Sequence, residues 1–598
     1  MATHPHLALP MTRHEMEARG WTQCDIILVS GDAYIDHPSF GVALIGRHLE
    51  DQGYKVGIIA QPDHTRQDSI QILGKPRLFF GVSAGNVDSQ LSHLTVMRKL
   101  RRDDPYSPGG TAGKRPPKAT IVYCSMIKQA YNDVPVVIGG IEASLRRFAY
   151  FDYWSDKVRR SILFDSKADI IAYGMAERSV IEIATRLAKG VELSGIAGTC
   201  IIKSSSGLPD ETFQLPSFED VSGNSKAGHR AFADMARAIQ ERHLSEGGQI
   251  VAQKHADKFL VAYPPAAPLS TMEIDSIYGL PYTRKPHPSY GTARIPAYEM
   301  IKDSITVHRG CYADCAFCAI TAHQGKRISS RSERNILDEL TKIADLPEFK
   351  GTITDLGGPT ANMYGTGCKL DRNGCKNRNC LHPAICSNLD TSHARYMELL
   401  DAASALKRIK HIFISSGIRF DLALQAGNGS FIDRLAKLHT SGLLKIAPEH
   451  VCDSVLAIMK KPSERYYRSF VSKFLESARR HGKRLGVVEY FMSGHPGCTL
   501  KDMVEMAVYL HKNRIAPEQV QDFYPAPMTI ACAMYYTGLD PFTMSNIYTA
   551  RSDREKALQR ALLLHHKPEF HRKAKEALME AGRSDLIGNN PDCLIRNH

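Results

Sequence analysis

The sequence has no apolar run near the ~18 residues that cross a bilayer. Its first residues, MATHPHLALPMTRHEMEARGW, put charges and prolines where a secretion signal needs an apolar core. The expectation is a cytoplasmic protein with no membrane association. The composition of a disordered chain is missing too. Of the 598 residues 43% are apolar, enough for several cores, and the length asks for about two to four domains. Charge is not one-signed: 76 Lys and Arg face 63 Asp and Glu, a net +13. That balance keeps nucleic acid among the partners to consider, although basic runs such as MRKLRR (97–102) and GKRPPK (113–118) are as a rule solvated faces.

Cysteine, in contrast, is plentiful, with 14. In a reducing compartment a disulfide framework is excluded, so clustered cysteines read as metal ligands or redox groups. Cys24, Cys124, Cys200 and Cys452 stand alone and read as small buried hydrophobes, and Cys498, Cys532 and Cys593 are also isolated. The other seven crowd between 311 and 386. Cys311, Cys315 and Cys318, in HRGCYADCAFCAITAHQGKR, have the spacing C-x3-C-x2-C and lack a fourth partner. Zinc sites and ordinary electron-transfer clusters close a four-ligand shell. Three ligands at this spacing suggest a [4Fe–4S] cluster with one iron left open. Cys368, Cys375, Cys380 and Cys386 follow, with His382 among them, in GCKLDRNGCKNRNCLHPAICSN. That segment has almost no periodic apolar face and cannot order itself by burial. A second metal or cluster would supply the order; free thiols at the mouth of a site are the other reading.

Hydrophobic patterning divides the chain. Strand-like runs at 25–30, 55–60, 78–82, 120–124, 134–138 and 168–173, with a helix from about 40 to 52, argue a doubly wound parallel sheet over residues 1–200. Residues 201–295 read as a mixed connector with a helix near 230–242. From 304 strands recur at 304–307, 351–356, 411–415, 444–447, 484–492 and 519–523. Helical patterns lie between them, such as Ile336, Leu340 and Ile343 on one face. Six βα units over 296–540 make a partial (β/α)6 version of the TIM barrel, with a basic helical extension at 541–598. In barrels the chemistry gathers on loops at the carboxyl ends of strands, which is where the three cysteines fall.

The cysteine triplet, with Gly310 before it and Phe317 inside it, resembles the signature of the radical S-adenosylmethionine (SAM) superfamily. From the first strand to the DLIG at 585–588 the chain looks most like the YgiQ-type uncharacterised radical SAM proteins. The resemblance implies that SAM chelates the open iron and that one electron, from a donor such as flavodoxin or ferredoxin, breaks a C–S bond. The products are methionine and a 5′-deoxyadenosyl radical, which attacks an unknown substrate. It also implies that Gly357 and Gly358 present backbone to the methionyl amine, although Pro359 replaces the family's Glu, and that Ser416 and Arg419 hold the SAM carboxylate and ribose. Glu449 and His450 would stand at the mouth. The N-terminal domain resembles the cobalamin-binding domain of such enzymes, on VPVVIGGIEAS and ADIIAYGMAERS, but lacks Asp-x-His-x-x-Gly: Asp36-His37-Pro38 is spaced differently. Cobalamin there is one reading and a cofactor-free domain the other. Two alternatives remain, a methyl or methylthio transferase acting on tRNA and an Fe–S redox sensor or scaffold that does not cleave SAM.

Overall fold

A computed structural model describes residues 7–244, 247–370, 375, 379–518 and 520–596. The chain forms two compact units that divide near Ser304, with the short stretches 322–325 and 329–339 returning to the first.

The first unit is built on β1 (Ile26–Ser30), β2 (Val56–Ala60), β3 (Phe79–Ser83), β4 (Val136–Gly139), β5 (Ile170–Ala172), β6 (Thr199–Lys203), β7 (Phe213–Leu215), β8 (Val251–His255) and β9 (Lys258–Ala262). They form one nine-stranded sheet in the order β2-β1-β3-β4-β5-β6-β9-β8-β7. β1 to β5 are parallel, with Ile26 opposite both Val56 and Phe79, and Val137 opposite Ile170. All five residues of β1 are buried, as a strand covered on both faces requires. The sheet then turns antiparallel through β6, β9 and β8. Residues 201–295, expected as a connector, therefore extend this sheet. A second expectation also fails: 120–124 is not a strand but part of α1 (Ala119–Ala130). Its N-terminal turn is braced by the buried carboxylate of Glu142, which accepts from the Thr120 N–H at 3.2 Å and the Ser89 N–H at 3.0 Å. The acidic turn after Gly139–Gly140 is thus spent on holding two helix starts.

Polar groups at the strand ends of this sheet close on one another. Strand order reverses between β1 and β3, the position where such sheets take ligands. There Arg115 forks onto Asp104 (Nη2–Oδ1 3.1 Å, Nε–Oδ2 3.3 Å) and reaches Asp32 at 2.8 Å. All three are buried. Burial pushes Asp32 up to about 6 although Arg115 opposes it. Asp36 grips Arg47 through both carboxylate oxygens. His37 is buried, with Nδ1 accepting from the Ser39 N–H at 3.1 Å. The Asp36–His37 segment is committed to the interior, so a cobalamin bound by this domain would lack a lower ligand from it.

In the second unit the strands are β10 (Ser304–Thr306), β11 (Thr352–Ile353), β12 (Asp355–Gly357), β13 (His411–Ile412), β14 (Leu443–Glu449), β15 (Gly486–Ser493) and β16 (Val520–Asp522). β10 pairs with β12, β11 runs parallel to β13, and β14, β15 and β16 form a parallel trio. Helices such as α2 (Ala394–Ser404), α3 (Gly429–Lys437), α4 (Glu464–Arg480) and α5 (Leu500–Lys512) alternate with them, the arrangement of a partial βα barrel. The last residues form α6 (Asp553–Leu563) and α7 (His571–Glu580). Among the described residues no helix is long and apolar enough to cross a membrane.

Candidate active site

The three cysteines lie on the loop that follows β10. Gly310 starts that loop at φ +86°, and a Cβ there would meet the Arg327 carbonyl oxygen at 1.9 Å, so no other residue fits. Backbone bonds fix the rest. The Ala316 N–H donates to Met459 O at 3.0 Å, Ala316 O accepts from the Ala531 N–H at 2.9 Å, and the Cys318 N–H donates to Cys315 O at 3.0 Å. Asp314, at φ +52°, pairs with Lys326 at 2.9 Å and Lys460 at 3.6 Å.

This geometry brings the thiols together. Cys311 is buried, and Cys315 and Cys318 are partly so. Burial, then the neighbouring Cys315 thiol, pushes Cys318 up to about 12. Burial raises Cys311 as well, opposed by the Ala313 N–H and the Thr360 hydroxyl. Thr360 Oγ1 lies 3.7 Å from the Cys311 sulfur, and Arg419 Nη1 lies 3.7 Å from that of Cys315. Three thiols with cationic and hydroxyl neighbours fit a cluster whose irons each take one thiolate, because positive donors offset the charge that thiolates bring. Among the described residues no three His, Cys, Asp or Glu side chains converge on a single ion. A cluster spreads its ligands over several irons and needs no such convergence.

The expected SAM contacts sit around this loop, already engaged within the chain. Gly357 and Gly358 end β12. A Cβ on Gly357 would lie 2.4 Å from Ser416 Oγ, and one on Gly358 would lie 2.6 Å from His308 Cε1. Their glycine character is thus required by packing. Ser416 donates its hydroxyl to Asp355, which also accepts the Ser415 and Ser416 N–H groups at 2.8 and 3.0 Å. Arg419 is buried with its fork on Asp421 (2.8 and 2.6 Å), leaving Nη1 toward Cys315. Asn362 pins Arg419 by accepting its N–H and donating to its carbonyl, each at 2.9 Å. The sequence reading passed over Asn362, since a lone Asn in GPTANMYG has no local signature.

Two further residues stand out by their environment. Glu449 ends β14 buried at φ +69°, with Oε2 lacking any hydrogen-bond partner among the described residues. Burial raises its carboxyl, opposed by Lys461. A strained, buried and incompletely bonded carboxylate is costly and concentrates at functional sites. His495 is packed edge-on against Phe317, inside the cysteine triplet, at 5.8 Å, and against Phe523 at 5.1 Å. Its Nδ1–H donates to Pro496 O at 2.7 Å, which leaves the buried Nε2 as an acceptor without a partner among the described residues. His450 is turned the other way, its Nδ1 accepting from the Cys452 N–H and its Nε2–H facing the Cys498 sulfur at 3.5 Å.

Two of the second group's cysteines lie against the triplet. Cys380 and Cys386 pack on the cluster formed by Cys311, Tyr312, Ala313, Met363, Leu381, Leu389 and Leu422. Backbone bonds link Cys386 N–H to Cys380 O and Leu389 N–H to Cys386 O, and Cys368 pairs across a short ladder with Leu389. Cys368, Cys380 and Cys386 are thus tied into one local backbone network. Cys375 is exposed, and its flanking residues 371–374 and 376–378 lie outside the described residues.

Family models match the chain in three parts: radical SAM N-terminal at 8–304, radical SAM superfamily at 305–510, and a domain of unknown function (DUF3362) at 518–598. Among solved structures the chain is similar to the radical S-adenosylmethionine methyltransferase TsrM from Kitasatospora setae with cobalamin and a [4Fe-4S] cluster bound, with 15% identity, a TM-score of 0.47, and 85% and 77% of the two chains covered. Among curated proteins it is 47% identical to a UPF0313 protein of Methanocella arvoryzae, covering 98% of both chains. It is also 47% identical to one of Geobacter sulfurreducens, covering 97% of this chain and 95% of that one. With such relatives matched nearly end to end, the chain belongs to the UPF0313 family of radical SAM enzymes, the YgiQ-type proteins it resembles, whose cofactors are a [4Fe–4S] cluster and SAM.

Proposed function

We propose that Cys311, Cys315 and Cys318 hold the [4Fe–4S] cluster and that the enzyme cleaves SAM reductively to act on a substrate through a carbon radical. The observation that supports this most is the triplet itself, three gathered thiols on the loop after the first barrel strand. When bound, cluster and SAM supply the chemistry: one electron from a donor such as flavodoxin or ferredoxin yields methionine and a 5′-deoxyadenosyl radical. The chain's residues hold and shield. Arg419, kept in place by Asp421 and Asn362, sets a positive charge against Cys315. Gly357, Gly358, Ser416 and Arg419 are the candidates for holding SAM, and Glu449 adds an acceptor near Cys318. Phe317 and His495 exclude water from the far side of the triplet. Cys368, Cys375, Cys380 and Cys386 are the candidates for an auxiliary metal.

The test is a single-turnover assay on anaerobically purified protein with dithionite and SAM, reading 5′-deoxyadenosine and methionine by mass spectrometry. The wild type forms both and Cys311→Ala forms neither. A cluster that persists in Cys311→Ala would overturn the ligand assignment. A loaded wild type that forms no 5′-deoxyadenosine would favour a redox sensor or scaffold.

A further inference from the structure

Three buried arginines of this protein share one arrangement that a fourth, Arg147, lacks. Arg47, Arg115 and Arg419 each turn the Nε–Nη2 edge of the guanidinium onto a carboxylate, on Asp36, Asp104 and Asp421. That edge carries two parallel N–H groups and is the one that takes a planar oxyanion through two oxygens. Arg147 is fully buried, yet its Nε and Nη2 have no partner among the described residues, and only Nη1 is used, donating to Ser144 O. Among the described residues no carboxylate pairs with it. Its charge rests on aromatic faces, Tyr173 at 4.3 Å and Phe148 at 5.5 Å. Rings stabilise a cation above and below its plane but offer nothing to N–H groups pointing along the plane.

A second unpartnered group lies beside it. His243 is fully buried and packs on the same two rings, 5.5 Å from Phe148 and 5.6 Å from Tyr173. Its Nδ1–H donates to Gln249 O at 3.3 Å, so Nε2 presents a lone pair, and Nε2 also has no partner among the described residues. Tyr173 directly follows β5, so the pair stands at the carboxyl end of a parallel strand, where sheets of this kind bind ligands.

We infer that Arg147 and His243 form an enclosed binding site for a small oxyanion, best matched by hydrogen phosphate. The Arg147 edge donates to two of its oxygens, and its hydroxyl donates to His243 Nε2. A carboxylate such as acetate satisfies the arginine but not the histidine, and so binds more weakly. The site belongs to the N-terminal sheet and does not rest on the proposed SAM chemistry.

The experiment incubates the intact protein with radiolabelled inorganic phosphate or acetate, removes free label by gel filtration, and counts what remains. Wild type retains about one phosphate per chain and less acetate; Arg147→Met retains neither. His243→Phe, which keeps the ring packing, loses the preference for phosphate while still holding acetate. Wild type that retains no phosphate, or Arg147→Met that retains as much as wild type, overturns the site. If Arg147→Met does not fold, thermal unfolding of wild type in phosphate against chloride at equal ionic strength decides: a melting point raised by phosphate supports the site, and an equal one overturns it.

Discussion

The carboxylate networks after β1 and β4 of the N-terminal sheet and the cysteine loop of the barrel unit settle their buried polar groups differently. In the N-terminal sheet Asp32, Arg115 and Asp104 satisfy one another, Asp36 satisfies Arg47, and Glu142 is consumed by Ser89 and Thr120. In the barrel unit three thiols share one loop, and Glu449 Oε2, His495 Nε2 and both ring nitrogens of His308 are buried without a hydrogen-bond partner among the described residues. An unmet buried polar group costs about 1–3 kcal/mol and is retained only where something else requires it. Closed networks therefore mark scaffold, and open ones mark where a ligand completes the set. Arg147 and His243 are open groups within the N-terminal unit, and together they carry an inference of their own.

Substitutions should break the two sides differently. The largest effect is expected for Cys318→Ala: cluster absorbance and 5′-deoxyadenosine both fall to background, while urea unfolding of the metal-free protein changes little. Persistent absorbance would remove Cys318 from the ligand set. Arg115→Met does the reverse. It leaves Asp32 and Asp104 buried without their cation and costs about 3–5 kcal/mol in unfolding free energy, with iron per folded chain unchanged. A loss of iron at full stability would mean that this triad serves the chemistry. Glu449→Gln comes next: turnover of SAM drops about tenfold or more, equivalent to ~1.4 kcal/mol of barrier, with stability within about 1 kcal/mol of wild type. Unchanged turnover would make Glu449 a scaffold group despite its strained backbone.

Much of this contrast was legible in the sequence, because ligand spacing and strand periodicity are local. Cys311, Cys315 and Cys318 announce themselves within eight positions, and Ile336, Leu340 and Ile343 lie buried on one helix face as their spacing requires. The misreadings have physical causes. The β-branched run at 120–124 imitates a strand, and only over twelve residues do the buried Ala119, Thr120, Tyr123, Cys124 and Ile127 show a helical period. The hairpin of β8 and β9 was hidden because its turn has neither Asn nor Gly; Ala256 adopts φ +56° instead. Asn362 and Arg147 stayed silent because their meaning lies in distant partners, or in the lack of them.

The smallest effect expected separates the sides by pH. Burial raises Cys311 and Cys318 in the metal-free fold, Cys318 from 9.0 to about 12. For an acid whose folded value is raised, the folded state favours the protonated thiol. Its contribution to stability is full below the ordinary value and fades as pH rises from about 9 toward 12. Cluster ligation removes those protons, so the bound form escapes that loss. Buried thiols of the N-terminal unit, such as Cys124 and Cys200, are also raised by burial, but equally in both forms. The gap in stability between loaded and metal-free protein should therefore widen from pH 7 to pH 10, and reconstitution at limiting iron should weaken as pH falls. Anaerobic urea titrations of both forms at pH 7, 8.5 and 10 measure this directly. A constant gap would mean that Cys311 and Cys318 are already ionised before metal arrives.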